Sequence, residues 1–419
     1  MKRRSFLSGV AASALLPKAG LLLAEGGPST TELARDETFW AKVAARYDRT
    51  DGIVNLEHGY WGKMARPVQE AYLSATRMVN QQNSYYARRE FDKDALAARD
   101  RIAGALGVNG DEMAITRNAS EAMHNLLRQH RGLGSGDAVL YADVDYPNFK
   151  ATVAWLAEAR GARSIELKIP SRADQDMLFT LYRDALDANP DLKVMLVTHV
   201  SNQHGLVLPV ARIAAEAKKR GVDVICDSAQ SWGLLDYRLP ELGVDWAVFN
   251  LHKWIGAPVG TGALYMRRGS LEKVAPYPAM KDPENTSTEA RVHLATTNFA
   301  AILAIPDALD FHLSVGAANK EARLRYLRSL WTAEALRMKH IEVLGGLDEP
   351  SWSGLASFRR VGESSRQDAI DLQLQMEREF GIFTVARHGL ASGSCVRITP
   401  QVFNTPADMK KLVSALQAL

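Results

Sequence analysis

The chain has 419 residues, 47% of them hydrophobic and 24% charged, with two cysteines and a formal net charge of +3. That is an ordinary globular composition, long enough for one large domain and a smaller one, and the charge balance points to neither nucleic acid nor an anionic membrane surface. Cys226 and Cys395 lie far apart in apolar contexts, which supports neither a disulfide framework nor a metal cluster, so no metal site is expected.

The amino terminus opens with Lys2-Arg3-Arg4-Ser5-Phe6-Leu7-Ser8, followed by a mostly apolar run from Gly9 to Leu23 that Pro17-Lys18 interrupts. It is too short and too broken to span a membrane. The paired arginines predict a bacterial twin-arginine export signal over 1–24, with Ala24 as the last residue removed, the export machinery as a partner and a periplasmic location. Removing it leaves 47 of the 51 basic side chains against 48 acidic ones, a net charge of −1. Residues 25–50 read as an exposed linker and a short helix, Glu37 to Tyr47. Ile53 to Leu56 is a short strand candidate. Pro67 to Gln81 and Asp92 to Leu106 carry helical periodicity, and the aromatic and basic stretch Tyr85 to Phe91 reads as their connector.

From about residue 110 strands and helices alternate. Ala138–Tyr141, Lys193–Val200, Val222–Cys226, Trp246–Phe249 and Gly262–Met266 are strands; 147–160 and Val210–Arg220 are helices. The pattern predicts an α/β large domain over 51–310 with a mostly parallel sheet, whose ligands gather at the carboxyl ends of the strands. Residues 299–340 read as one or two long helices. A small α+β domain over 311–419 ends in a helix capped by Thr405, with Pro406 in its first turn.

Two segments carry the chemistry. Val224-Ile225-Cys226-Asp227 is an apolar strand ending in a carboxylate, and Asn250-Leu251-His252-Lys253-Trp254 sets a lysine in an apolar stretch. A buried Asp and a buried Lys need partners. Pyridoxal 5′-phosphate would serve both: its aldehyde condenses with the Lys253 amine, and its cationic ring nitrogen pairs with Asp227. That pairing is worth roughly 4 kcal/mol at an effective dielectric near 20. A cofactor inserted before export also suits the twin-arginine route, which carries folded proteins. Asn202 and Gln230 follow strands and can hydrogen-bond the cofactor's phenolic oxygen, although a turn asparagine gives the same pattern as the first. Ala119 and Ser120 open a helix, where backbone amides form a phosphate cradle or an ordinary cap. Tyr146 is placed to stack on the ring. Arg397, inside a strand, suits a bidentate clamp on a substrate carboxylate, or an edge facing water.

Together, Thr116 to Ser120, Asp227 to Gln230, Leu251 to Trp254, and Arg397 with Val402 to Thr405 resemble the class V aminotransferase family of fold-type I pyridoxal-phosphate enzymes. The resemblance implies a three-layer large domain and a smaller carboxyl-terminal one. It makes Lys253 the Schiff-base lysine and Asp227 the ring partner. It places Ala119, Ser120, Asn250 and His252 at the phosphate, and Thr297 at the phosphate of a neighbouring subunit in a homodimer with shared sites. Asn55 to Gly62 and the Tyr85 to Phe91 connector look most like the isopenicillin N epimerase branch, which includes exported enzymes that tailor peptide siderophores. The expected activity is therefore Cα deprotonation of a small-molecule or peptide amino substrate, then epimerisation or transamination. Arg88 and Arg89 are candidates for a second carboxylate. A cysteine desulfurase or C–S lyase, with Cys395 near the clamp, and a cofactor-binding protein without turnover are the alternatives. A dinucleotide-binding dehydrogenase is disfavoured, because no Gly-x-Gly-x-x-Gly follows an early strand.

Overall fold

The alternating strands and helices between residues 113 and 266 close into a seven-stranded sheet, ordered Met113–Thr116, Gly262–Met266, Trp246–Asn250, Asp223–Asp227, Leu192–Thr198, Ala138–Ala142, Arg163–Leu167. The computed structural model describes residues 28–280, 285, 287–292 and 295–419; the expected export signal lies outside them. Gly262–Met266 runs antiparallel to both of its neighbours, and the other strand pairs are parallel. Successive residues of a strand point to opposite faces. Accordingly, Val224, Cys226, Ala247 and Phe249 enter one core with Ile102, Leu178 and Ile213. Ile225, Trp246 and Val248 enter a second with Met123, Leu126 and Val153. Helices therefore cover both faces, giving the expected three layers.

A five-stranded sheet forms the smaller lobe, ordered Val385–Arg387, Cys395–Ile398, Ala356–Arg360, Ile341–Gly346, Arg172–Ala173. Trp331, Phe358, Met376, Ile398 and Leu412 share its core. The two lobes exchange chain. Arg172–Ala173 leaves the large-domain sequence to pair with Gly345 and Gly346. Val54–Asn55 pairs in parallel with Ile382–Phe383, and Leu56 is buried in the small core. The last helix, Pro406–Ala418, starts as expected, with the Thr405 side chain accepting from the Asp408 N–H.

Several expectations change. The short helix expected after the amino-terminal linker is there as Glu37–Ala44, capped by Asp36, but residues 28–50 are not all exposed: Leu33, Trp40 and Val43 share a core with Trp254 and Leu324. The Tyr85 to Phe91 connector is helical, because Arg66–Arg89 runs through it with one break at Asn83 (φ 49°, ψ −135°), and Phe91–Leu106 follows at once. The 299–340 region holds three helices, Phe299–Leu303, Ile305–Val315 and Ala317–Ala335. Gly316, at φ 91°, turns the chain between the last two. Among the described residues no single helix is long and apolar enough to cross a membrane.

Candidate active site

Parallel strands in register bring their carboxyl ends to one edge of the large sheet, and a cleft of about 640 Å³ opens there. Asp227 is the last residue of its strand, paired with Thr198 on one side and Val248 on the other. It is buried, and its Oδ1 accepts from the Ala229 N–H at 2.9 Å. Burial pushes its pKa up to about 6, against the Ala229 N–H and Lys253, which pull it down. Lys253 stands in the turn after Trp246–Asn250 and lines the same cleft, partly exposed. Desolvation pulls its pKa down to about 8; Asp227 opposes that shift, while Arg397 and Arg387 reinforce it.

The turn that carries Lys253 is held from outside. The Gly62 N–H donates to the His252 carbonyl at 2.7 Å, and a Cβ on Gly62 would overlap the Lys253 carbonyl oxygen. The buried Lys320 Nζ donates to the Trp254 carbonyl at 2.7 Å and lies 2.9 Å from His312 Nδ1. The His252 Nδ1–H donates to the Thr261 carbonyl at 2.7 Å. Burial holds that ring near pKa 4, so it is neutral, and Nε2 is an acceptor.

Asn118 caps the Ala119–Gln129 helix, its Oδ1 accepting from Glu121 N–H at 2.8 Å. Ser120 faces the cleft in the first turn, where helix amides lack intrahelical partners. Ala119 differs from expectation. Its N–H donates to Asn250 Oδ1 at 2.9 Å, so that amide is spent on pinning the helix to the Lys253 strand and is not open to a ligand. Tyr146 lines the cleft at the start of the Pro147–Arg160 helix, edge-on to Phe149 at 5.3 Å. Asn202 lines it too, and its buried Oδ1 has no partner among the described residues.

Gln230 and Arg397 sit in the cleft wall but are already engaged. Gln230 Oε1 accepts from the Trp254 indole at 2.8 Å, and its Nε2 donates to the Gly59 carbonyl at 2.9 Å. It ties the Lys253 turn to the Gly59 turn, where a cofactor contact was expected. Arg397 is fully buried on Cys395–Ile398, not an edge residue facing water. Its Nη2 lies 2.7 and 2.8 Å from the two Glu57 oxygens, and its Nη1 donates to the Asn202 carbonyl at 2.7 Å. The open clamp expected there is closed by Glu57.

Three expected residues lie elsewhere in the chain. Arg88 and Thr297 line a separate surface cavity with Tyr72 and Asn83, and Arg89 is exposed at the end of the same helix as Arg88. Conversely, Arg387, Arg117, Gly59, Tyr60 and Trp61 line the cleft without having been singled out for it. The buried Asp145 was also missed: it accepts from the Ala142 and Thr198 N–H groups beside the Asp227 strand. Tyr60, Trp61 and Glu57 belong to the Asn55 to Gly62 stretch, so a signal was present; Arg387 had only its strand position across from Cys395.

Residues 65–412 match the family Aminotransferase class-V. The chain belongs to that family. It is similar to isopenicillin N epimerase of Amycolatopsis lactamdurans, 25% identical over 402 residues that cover 91% of this chain and 99% of the relative. It is also similar to a cysteine desulfurase of Haloferax volcanii, 26% identical over 387 residues covering 88% of this chain and 85% of that one. The fold is that of fold-type I pyridoxal-phosphate enzymes. A solved variant of C-DES, with glycine covalently linked to its pyridoxal-phosphate cofactor, aligns with a TM-score of 0.76 at 22% identity, covering 87% of this chain and 96% of that one.

Proposed function

We propose that this class-V protein is a pyridoxal-phosphate enzyme that removes and returns a proton at the carbon between an amino group and a carboxylate, as an epimerase or a transaminase. One observation carries the reading: Lys253 and Asp227 meet in one cleft at adjacent strand ends, each with its pKa moved toward neutrality by burial. The other residues fit the cofactor. Asp227 offers its carboxylate to the ring nitrogen, Asn202 in the cleft wall offers its Nδ2 donors to the ring's oxygen, and Tyr146 offers an aromatic face. Ser120 offers a hydroxyl and a first-turn amide to the phosphate. His252, neutral in this structure, gains a proton beside a phosphate because a nearby anion favours the cation.

When bound, the cofactor supplies an aldehyde and an electron-withdrawing ring that acidifies the substrate Cα–H. Lys253, with a large neutral fraction near pH 8, is the nucleophile and then the base at Cα. Lys253 holds the proton it has taken; an epimerase would need it delivered to the opposite face of Cα, and a transaminase would have the bound cofactor keep the amino group while water releases the oxo acid. Tyr60 (69% exposed) and Trp61 (51%) stand at the mouth of the cleft. That apolar lip favours a second reading, an exported tailoring enzyme acting on a peptide such as a siderophore, with periplasmic delivery by the twin-arginine signal. A cysteine desulfurase has less support: burial pushes the Cys226 and Cys395 thiols up to about 12 and 11, and neither lines the cleft. A homodimer that shares Arg88 and Thr297 between its sites completes the proposal.

The test is a spectrum of the purified protein with pyridoxal phosphate, before and after borohydride. A visible band that reduction removes, with the added mass on the Lys253 peptide and absent from Lys253→Ala, is the expected result. Protein that stays colourless overturns the reading. Colour without turnover of any amine leaves a cofactor-binding protein.

A further inference from the structure

Among the described residues, Arg291, Arg323, Arg328, Arg359 and Arg397 are buried. Four of these guanidinium groups are engaged by carboxylates or backbone carbonyls. Arg328, only 5% exposed, is the exception. Its guanidinium makes no hydrogen bond or ion pair among the described residues, and its Nε is enclosed without a partner. The group lies 4.7 Å from the centre of the Trp352 ring, whose face attracts a cation but supplies no anion. Two more arginines stand nearby. Arg325 is one helical turn earlier on Ala317–Ala335. Arg172 is on the strand paired with Gly345, and the Trp352 indole donates to the Gly346 carbonyl at 2.9 Å, which brings both to one corner. Burial lowers the Arg328 pKa to about 10, and repulsion from Arg325 and then Arg172 adds to the fall. Arg325 is neutralised: its Nε donates to Glu321 Oε1 at 2.8 Å, and its Nη1 to the Glu349 carbonyl at 2.6 Å. The half-buried Arg172 side chain has no hydrogen bond or ion pair among the described residues. Two positive charges therefore share this corner without a carboxylate, one of them enclosed.

We propose that Arg328 and Arg172 form a binding site for a doubly charged tetrahedral oxyanion, sulfate or phosphate, at the seam between the two lobes. Burying a charge is costly unless an opposite charge meets it, and no side chain of the chain does so here. Two uncompensated guanidinium groups match the charge of one dianion. Their planar forks carry free donors that suit tetrahedral oxygens. The site is separate from the Lys253 cleft, which none of Arg172, Arg325, Arg328 and Trp352 lines. Arg172 comes from the large-domain sequence, Arg328 from the connecting helix and Trp352 from the small lobe, so a bound ion joins three segments that otherwise bring like charges together.

The test is equilibrium dialysis of the protein against radiolabelled sulfate at constant ionic strength. The protein is first saturated with pyridoxal phosphate, so that the helix start at Ser120 does not compete for the ion. One sulfate per chain is retained in a saturable manner, and unlabelled phosphate displaces it far more readily than chloride. Arg328→Met weakens retention by at least about tenfold and Arg172→Met several-fold, because each removes one of the two charges. Arg328→Met also melts no lower than the parent in chloride, since an apolar side chain replaces an unpaired buried charge. Arg172→Met, at a half-buried position, carries the test alone where Arg328→Met does not fold. No saturable sulfate, displacement by chloride as readily as by phosphate, or parental retention in either variant overturns the site.

Discussion

Asp227 keeps its place in the core at a cost to folding. Its carboxyl rises from 3.8 to about 6, first because burial disfavours the charge. A folded-state pKa above the unfolded one stabilises the protein below pH 3.8, and that contribution is lost as pH rises through about 6. Two pH units correspond to roughly 3 kcal/mol. Asp145 rises to about 7, also through burial, and acts with the same sign. The cofactor-free protein is therefore expected to lose stability from mildly acid pH up to about 7. Asp227→Asn should recover up to about 3 kcal/mol of that at pH 8 in urea unfolding, while its affinity for pyridoxal phosphate falls. A variant no more stable than the parent, or one that binds the cofactor as well, contradicts a carboxylate held ready for a cation. Asp227 and Lys253 were legible in the sequence, since each interrupts an apolar run; Asp145, in the mixed stretch Ala142 to Asn148, was not. The engagements of Gln230 and Arg397 were not. Their partners, Gly59 and Glu57, lie far away in the chain, and no local pattern records such a pairing.

At the scale of elements, the site depends on turns that lock strand ends together more than on the strands themselves. The Gly59 to Gly62 turn touches Arg397, Gln230 and the His252–Lys253 backbone. Gly62→Ala forces a Cβ into the Lys253 carbonyl, and the turn must move away from the 2.7 Å bond to His252. Overpacking of this kind costs about 1–3 kcal/mol. The expected outcome is a lower melting temperature together with weaker cofactor binding, read from a melt and a cofactor titration on the same preparation. Normal cofactor affinity would mean that Lys253 is positioned without this turn. The central strands were legible because both of their faces are buried, leaving unbroken apolar runs. Arg163–Leu167 was not: it is a half-exposed edge with alternating polar residues. Gln175–Ala188 carries a helical signal, with Asp174 as its cap and Leu178, Tyr182, Ala185 and Leu186 on its buried side.

For the whole molecule, the two-lobe plan follows from the change of pattern near residue 311, whereas the exchange of Val54–Asn55 and Arg172–Ala173 between lobes depends on non-local pairing that periodicity does not encode. The same holds one level higher, for the second copy. Arg88 and Thr297 line a cavity of about 580 Å³ that shares no lining residue with the Lys253 cleft. If they serve a cofactor and a substrate, they serve those of another chain, and a two-fold dimer is the commonest closed arrangement that supplies one. Sedimentation should give the mass of a dimer. Lys253→Ala and the double variant Arg88→Ala/Thr297→Ala should each fail to retain covalent cofactor through dialysis. Mixed under conditions that allow exchange, half of the molecules become heterodimers with one intact site, so about a quarter of the sites should regain it. A monomer, a double variant that holds cofactor normally, or a mixture that recovers nothing would mean that each chain completes its own site, and that the Arg88 and Thr297 cavity serves some other purpose.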